Sequence, residues 1–81
     1  GANLLMGIMP RAQMHFPVLN QAVLTGANLK EANLLSAQVK EANLRSADLS
    51  GASLVATDFT DSDLVYAVFR DTFTWWCIGC P

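Results

Sequence analysis

The sequence predicts an all-β solenoid, a coil whose chain turns in one sense every five residues. Three observations carry this. Large apolar residues stand at every fifth position: Leu4, Met9, Met14, Leu19, Leu24, Leu29, Leu34, Val39, Leu44, Leu49, Leu54, Phe59, Leu64 and Phe69. Two positions before each stands a small residue, from Ala2 and Gly7 through Ala22, Ala27, Ala32, Ala37, Ala42, Ala47 and Ala52 to Thr57, Ser62 and Ala67, with Pro17 the one exception. Between the two columns Asn or Asp recurs, at Asn3, Asn28, Asn33, Asn43, Asp48, Asp58 and Asp63, and the other two positions of each five vary.

A period of five excludes the ordinary elements. On an α-helix a step of five advances about 140°, which scatters the leucines around the whole cylinder. On a straight strand an odd step sends successive leucines to opposite faces. Both columns stay inside only if the chain turns in the same sense once per five residues, and a square coil with one pentapeptide to each side satisfies this. A turn then takes about twenty residues. The inward residues form four stacks, Leu4/Leu24/Leu44/Leu64, Met9/Leu29/Leu49/Phe69, Met14/Leu34/Leu54 and Leu19/Val39/Phe59, spaced at about 4.8 Å. The small column lets the backbone approach the core, and the Asn/Asp side-chain oxygens are placed to bond turn backbone.

The runs Ala27-Asn28-Leu29, Ala32-Asn33-Leu34, Ala42-Asn43-Leu44 and Ala47-Asp48-Leu49 resemble the pentapeptide-repeat family over roughly residues 1 to 71. That resemblance implies a right-handed quadrilateral β-helix with four repeats per turn, here about 3.5 turns. The expected organisation is a repeat domain over residues 1–71 and an apolar C-terminal tail or cap over 72–81. It implies a binding or scaffolding role, and a cyanobacterial or thylakoid-associated setting, in the cytoplasm or thylakoid lumen.

Composition narrows the chemistry. At 81 residues the chain is one domain at most, and although 52% of it is hydrophobic it has no run of the roughly twenty apolar residues that span a membrane. The sequence opens at Gly1 without a methionine or an apolar leader, and reads as a mature form or a piece of something longer. A net charge of −2 predicts neither a basic phosphate-binding surface nor a strongly acidic one. No catalytic constellation is present: His15 is the single histidine and falls in a variable, outward position. Gly1, Gly7, Gly26 and Gly51 fall in register and do not form a phosphate loop. Lys30-Glu31 and Lys40-Glu41 read as solvated edges of successive turns. No enzyme activity, cofactor, metal or nucleic-acid binding is expected.

Two features remain. Cys77-Ile78-Gly79-Cys80 is a Cys-x-x-Cys motif without the βαβ context of a thioredoxin-like site, and without the second pair of ligands that a zinc tetrahedron needs. It reads as a local disulfide or two free thiols in a tail where Phe73, Trp75, Trp76, Cys77 and Ile78 fold across Leu64 and Phe69 to cover the end of the coil. The second feature is the third side of the coil. Its outward column is His15, Leu35, Val55 and Trp75, with Phe16, Ser36, Ala56 and Trp76 beside it, whereas the other sides are mainly polar. Phe16, Leu35, Val55, Trp75 and Trp76 are therefore the expected contacts to a protein partner or a second copy, and the aromatic tail could also touch a membrane surface. The alternative function implied by the resemblance is DNA mimicry on gyrase, as in quinolone-resistance members. Against it, a prism of this length matches only about five base pairs.

Overall fold

Corners shape the fold. In the computed structural model, which describes residues 18–81, the small-column N–H at most corners donates back to the carbonyl of the preceding large residue. Ala22 donates to Leu19 (3.0 Å), Ala27 to Leu24 (3.0 Å), Ala47 to Leu44 (2.9 Å) and Ala52 to Leu49 (3.0 Å). The residue just before the small one has a positive φ, which is the third position of a type II turn. Glycine takes that position at Gly26 and Gly51, but ten non-glycine residues take it too, among them Glu31, Ala56, Tyr66 and Trp76. Each such residue is disfavoured by roughly 1 to 2 kcal/mol in isolation, so the ladder between coils must hold the corners in place.

That ladder is parallel and joins residues twenty apart. The paired residue on each side is the one in the Asn/Asp column: Val23 pairs with Asn43, Asn28 with Asp48, Asn33 with Ser53, and Gln38 with Asp58. Around the first of these, Asn43 N–H donates to Ala22 (3.0 Å), Leu24 N–H donates to Asn43 (2.7 Å), and the corner N–H of Gly26 donates to Arg45 (2.9 Å). Among the described residues the β-structure consists of such isolated bridges, with no longer strand. A corner every five residues bends the chain away before a second ladder pair can form.

Inside, the expected stacks are present. Leu24 lies with Leu44, Leu29 with Leu49, Leu34 with Leu54 and Val39 with Phe59, all at 0 to 2% exposure, and the alanines from Ala22 to Ala52 are at 3% or less. Full burial of each large side chain stabilises the fold by roughly 1.5 to 3 kcal/mol. The stack members Leu4, Met9 and Met14 lie outside the described residues.

Three polar residues occupy the small column among the described residues, and all are satisfied; the Thr72 hydroxyl donates to Phe69 O at 3.3 Å. The buried Thr57 hydroxyl donates to Leu34 O at 2.8 Å. Ser62 enters the corner above it: its hydroxyl donates to Val39 O and accepts from Ala42 N–H at 3.0 Å. The direct Ala42-to-Val39 bond that the other corners lead one to expect is absent there, so the hydroxyl bridges the turn.

The Ala-Asn-Leu pattern stops near Asp71, but the ladder runs on. Ser53 pairs with Phe73 and Asp58 with Ile78, and Phe59 N–H donates to Ile78 O while Ile78 N–H donates to Thr57 O, both at 2.8 Å. Backbone pairing needs only donors and acceptors in register, and Thr72 and Cys77 are small enough for the small column. The aromatics consequently do not fold across Leu64 and Phe69. Phe73 and Ile78 hold the Asn/Asp slot, Trp75 and Trp76 hold the variable slots, and all four are exposed. Cys77 and Cys80 are the tail residues that pack against the core, beside an edge-on contact of Phe59 with Phe69 at 6.2 Å.

Candidate protein-binding surface

The four sides begin at residues 42, 47, 52 and 57 in the second described coil. On three of them the Asn or Asp oxygen accepts the N–H two residues on, Asn43 from Arg45 (3.1 Å), Asp48 from Ser50 (3.0 Å) and Asp58 from Thr60 (2.9 Å), and on the third side of the preceding coil Asn33 accepts from Leu35 (3.1 Å). This fixes the direction of the variable residue that follows. Variable residues then meet the Asn/Asp column of the next coil, eighteen positions on.

On three sides that meeting is an ion pair. Arg45 reaches Asp63 at 3.2 Å, Lys30 reaches Asp48 at 3.7 Å, and Lys40 reaches Asp58 at 3.8 Å. The lysines that the sequence left as solvated edges are thus partners of the coil below. All three carboxyls titrate below the ordinary Asp value. For Asp48 the first cause is the Ser50 hydroxyl, for Asp58 the Thr60 hydroxyl and for Asp63 the Val65 N–H, with the basic partners contributing less.

The third side differs. The slots filled elsewhere by a base and an acid are filled here by Leu35 and Ser53, then by Val55 and Phe73. Leu35 is 40% exposed, Trp75 67% and Trp76 82%, while Val55 is half-buried. Phe73 and Trp75 lie with ring centroids 6.1 Å apart at an interplanar angle of 33°. Of the expected contacts, Leu35, Val55, Trp75 and Trp76 therefore share one side, and Phe16, like His15, lies outside the described residues.

The structure also adds members that the outward-column reading left out. Phe73 and Ile78 are exposed in the Asn/Asp column, and Val65 and Tyr66 are exposed on the first side of the same coil. Their place in the five-residue register, where Val18, Val23 and Val68 show that the Asn/Asp column admits apolar residues, is the available signal for Phe73 and Ile78. The apolar surface is thus less a stripe than a band around residues 65–78, from which Leu35 and Val55 extend along the third side. Cys77 and Cys80 form a disulfide, with their Cα atoms 5.8 Å apart. Among the described residues no group of His, Cys, Asp and Glu is arranged to hold a metal ion, and no helix is long and apolar enough to cross a membrane.

A family model described as pentapeptide repeats matches residues 11–45 and 40–73, in eight copies. The chain belongs to the pentapeptide-repeat family. Membership implies the right-handed, quadrilateral form of the coil, and family members are typically non-enzymatic and mediate interactions. No curated protein sequence matches this pentapeptide-repeat chain. Among solved structures it is similar to HetL, a pentapeptide repeat protein involved in heterocyst differentiation regulation from the cyanobacterium Nostoc sp. strain PCC 7120. Identity is 20% over 90% of this chain, with a TM-score of 0.33, and the match spans 60% of HetL.

Proposed function

We propose that this chain is a non-enzymatic protein-binding module in which a rigid coil presents the third side and the aromatic band below it to a partner protein. One observation carries the reading: slots that hold ion pairs on the other three sides hold Leu35, Val55 and Phe73 on this one, continuous with Trp75 and Trp76. Exposed aromatic and aliphatic residues gathered in one place favour an interface. The same ion pairs argue against duplex mimicry, because they neutralise Asp48, Asp58 and Asp63 where a phosphate mimic would leave them unpaired.

Size sets the expected strength. The two largest extents of the molecule are 26 and 23 Å, so one side offers at most about 600 Å², below the roughly 800 Å² per partner of a standard stable interface. A partner that uses the third side alone binds weakly, and a tight one must also wrap the corner at Trp76. The test is differential affinity purification from the native source. A partner retained by the natural chain and by Lys40→Glu, but lost from the Leu35→Lys/Val55→Lys double variant and from Trp75→Ala/Trp76→Ala, fits the reading. Equal retention by all variants, each shown to be folded, overturns it.

A further inference from the structure

We infer that the Cys77–Cys80 disulfide is a thiol–disulfide exchange site, a latch whose opening by a dithiol releases the last side of the coil and uncovers the apolar end beneath it. Where this regulates partner binding it rests on the reading above; the latch itself does not.

The argument starts from what holds each side in place. On the preceding coils every side has a large inward residue, three backbone bonds to the next coil, or both. The last side, residues 77–81, has neither in full. Its large-column position is Gly79, which contributes no side chain to the core. Its corner bond is missing as well: Gln21 N–H donates to Lys40 O and Glu41 N–H to Thr60 O, but Asp61 N–H makes no such bond to Cys80 O. Ile78, which makes the remaining two bonds, is exposed and adds little burial.

What anchors the side is the cystine. Cys77 and Cys80 are half-buried and pack against the core cluster, and their bond closes the loop that carries Gly79. That glycine lies directly on Phe59: a Cβ added to it would stand 3.3 Å from the Phe59 carbonyl carbon and oxygen, at a φ of +80°. The loop thus lies against the backbone and Cβ of a residue that is only 2% exposed and whose ring leans on the half-buried Phe69. Trp75 and Trp76 immediately precede Cys77, in the corner closed by the Cys77 N–H to Thr74 O bond at 3.0 Å. Freeing Cys77 therefore loosens the aromatic end of the proposed binding surface.

The reaction balances without a further reactant. One thiolate of the dithiol attacks a sulfur of the cystine and its second thiolate resolves the mixed disulfide. The reductant leaves as a disulfide, and Cys77 and Cys80 each take up a proton as thiols. A cystine in a partly exposed position is open to such attack.

The test uses the full chain, oxidised and then reduced with dithiothreitol, followed by amide hydrogen exchange and bis-ANS fluorescence. In the reduced chain, protection of the Phe59 and Ile78 amides falls about twentyfold, the loop entropy of a short cystine ring, while Asn43 and Asp48 keep theirs. Bis-ANS emission rises, and reoxidation reverses both changes. A Cys77→Ser/Cys80→Ser variant behaves as the reduced chain in either buffer. Unchanged protection at Phe59 and Ile78 on reduction overturns the latch, and so does an equal loss at Asn43 and Asp48, which marks a disulfide needed by the whole fold. None of these readouts needs a partner, so the latch can stand if the Leu35 and Val55 variants bind normally, and can fail while that surface is upheld.

Discussion

The coils spanning residues 22–61 and the last coil, residues 62–81, follow the same backbone path with different side chains. In the former, each inward slot is filled by Leu, Val or Phe and is sealed from above and below. In the latter the inward slots run Leu64, Phe69, Thr74, Gly79, and the first two are only partly buried. Outside, the contrast reverses. Leu35 is the one exposed large apolar residue between residues 22 and 61, against Val65, Tyr66, Phe73, Trp75, Trp76 and Ile78 in the last coil. In a solenoid each coil is stabilised by its neighbours, so a coil whose inward residues are only partly covered gains least from them. It is also where sequence is freest to serve binding.

The sharpest way to break this comparison is to remove one leucine from each region. Leu44→Ala leaves a void between two coils and should destabilise by about 3 kcal/mol or more, in the range of buried Leu→Ala changes. Leu64→Ala, in the same stack but half-covered, should lose less than half as much in urea unfolding. Equal losses would mean that the last coil is sealed by something beyond these residues.

Corners give a smaller contrast of opposite sign. Gly51 sits at φ 72°, with a Cβ position 3.2 Å from Glu31 Cγ, so Gly51→Ala should cost about 1 kcal/mol or slightly more. Trp76 occupies the equivalent corner at φ 59°, and Trp76→Gly should stabilise by several tenths of a kcal/mol to about 1. Thermal denaturation of both variants checks the pair. A stabilised Trp76→Gly chain that no longer binds would show that the strain is tolerated for the sake of the surface.

Thr57→Val is expected to cost about 1 kcal/mol. It removes the hydroxyl donated to Leu34 O but leaves that carbonyl the Ala37 N–H at 2.9 Å. Denaturant midpoints measure it, and a loss of several kcal/mol would show that the hydroxyl organises more of the coil than its one bond.

The smallest effect is electrostatic. Asp48, Asp58 and Asp63 have folded-state pKa values below their ordinary value. Their contribution is therefore fully present above the ordinary carboxylate range and is lost as pH falls below about 4. A modest drop in melting temperature between pH 5 and pH 3, on the order of a few degrees, should be reduced in Asp48→Asn, which keeps an acceptor for Ser50 N–H but does not titrate. A flat profile in the natural chain would show that these exposed pairs are energetically silent.

Periodicity determined much of this protein before any coordinates. The Leu and Ala columns require a coil that turns once every five residues, because only such a path keeps both columns inside, and the buried residues from Ala22 to Phe59 are those columns. The twenty-residue turn comes from the family resemblance and is seen in the ladder. The Asx bonds at Asn33, Asn43 and Asp48 were legible for the same reason, since a repeated Asn or Asp before each corner has a repeated backbone donor to meet. The sequence also brought Leu35, Val55, Trp75 and Trp76 to one side by counting in twenties. What it could not supply was the behaviour of residues outside the pattern. Side chains that break a repeat suggest a chain that leaves the coil, yet Phe73 and Ile78 stay in it, because the ladder is made by backbone and tolerates any side chain that can point to solvent. Likewise Lys30, Lys40 and Arg45 find Asp48, Asp58 and Asp63 only once coils are stacked, and the Ser62 hydroxyl enters the corner above it only there. Such contacts depend on the offset between coils, a tertiary quantity that no single pentapeptide contains.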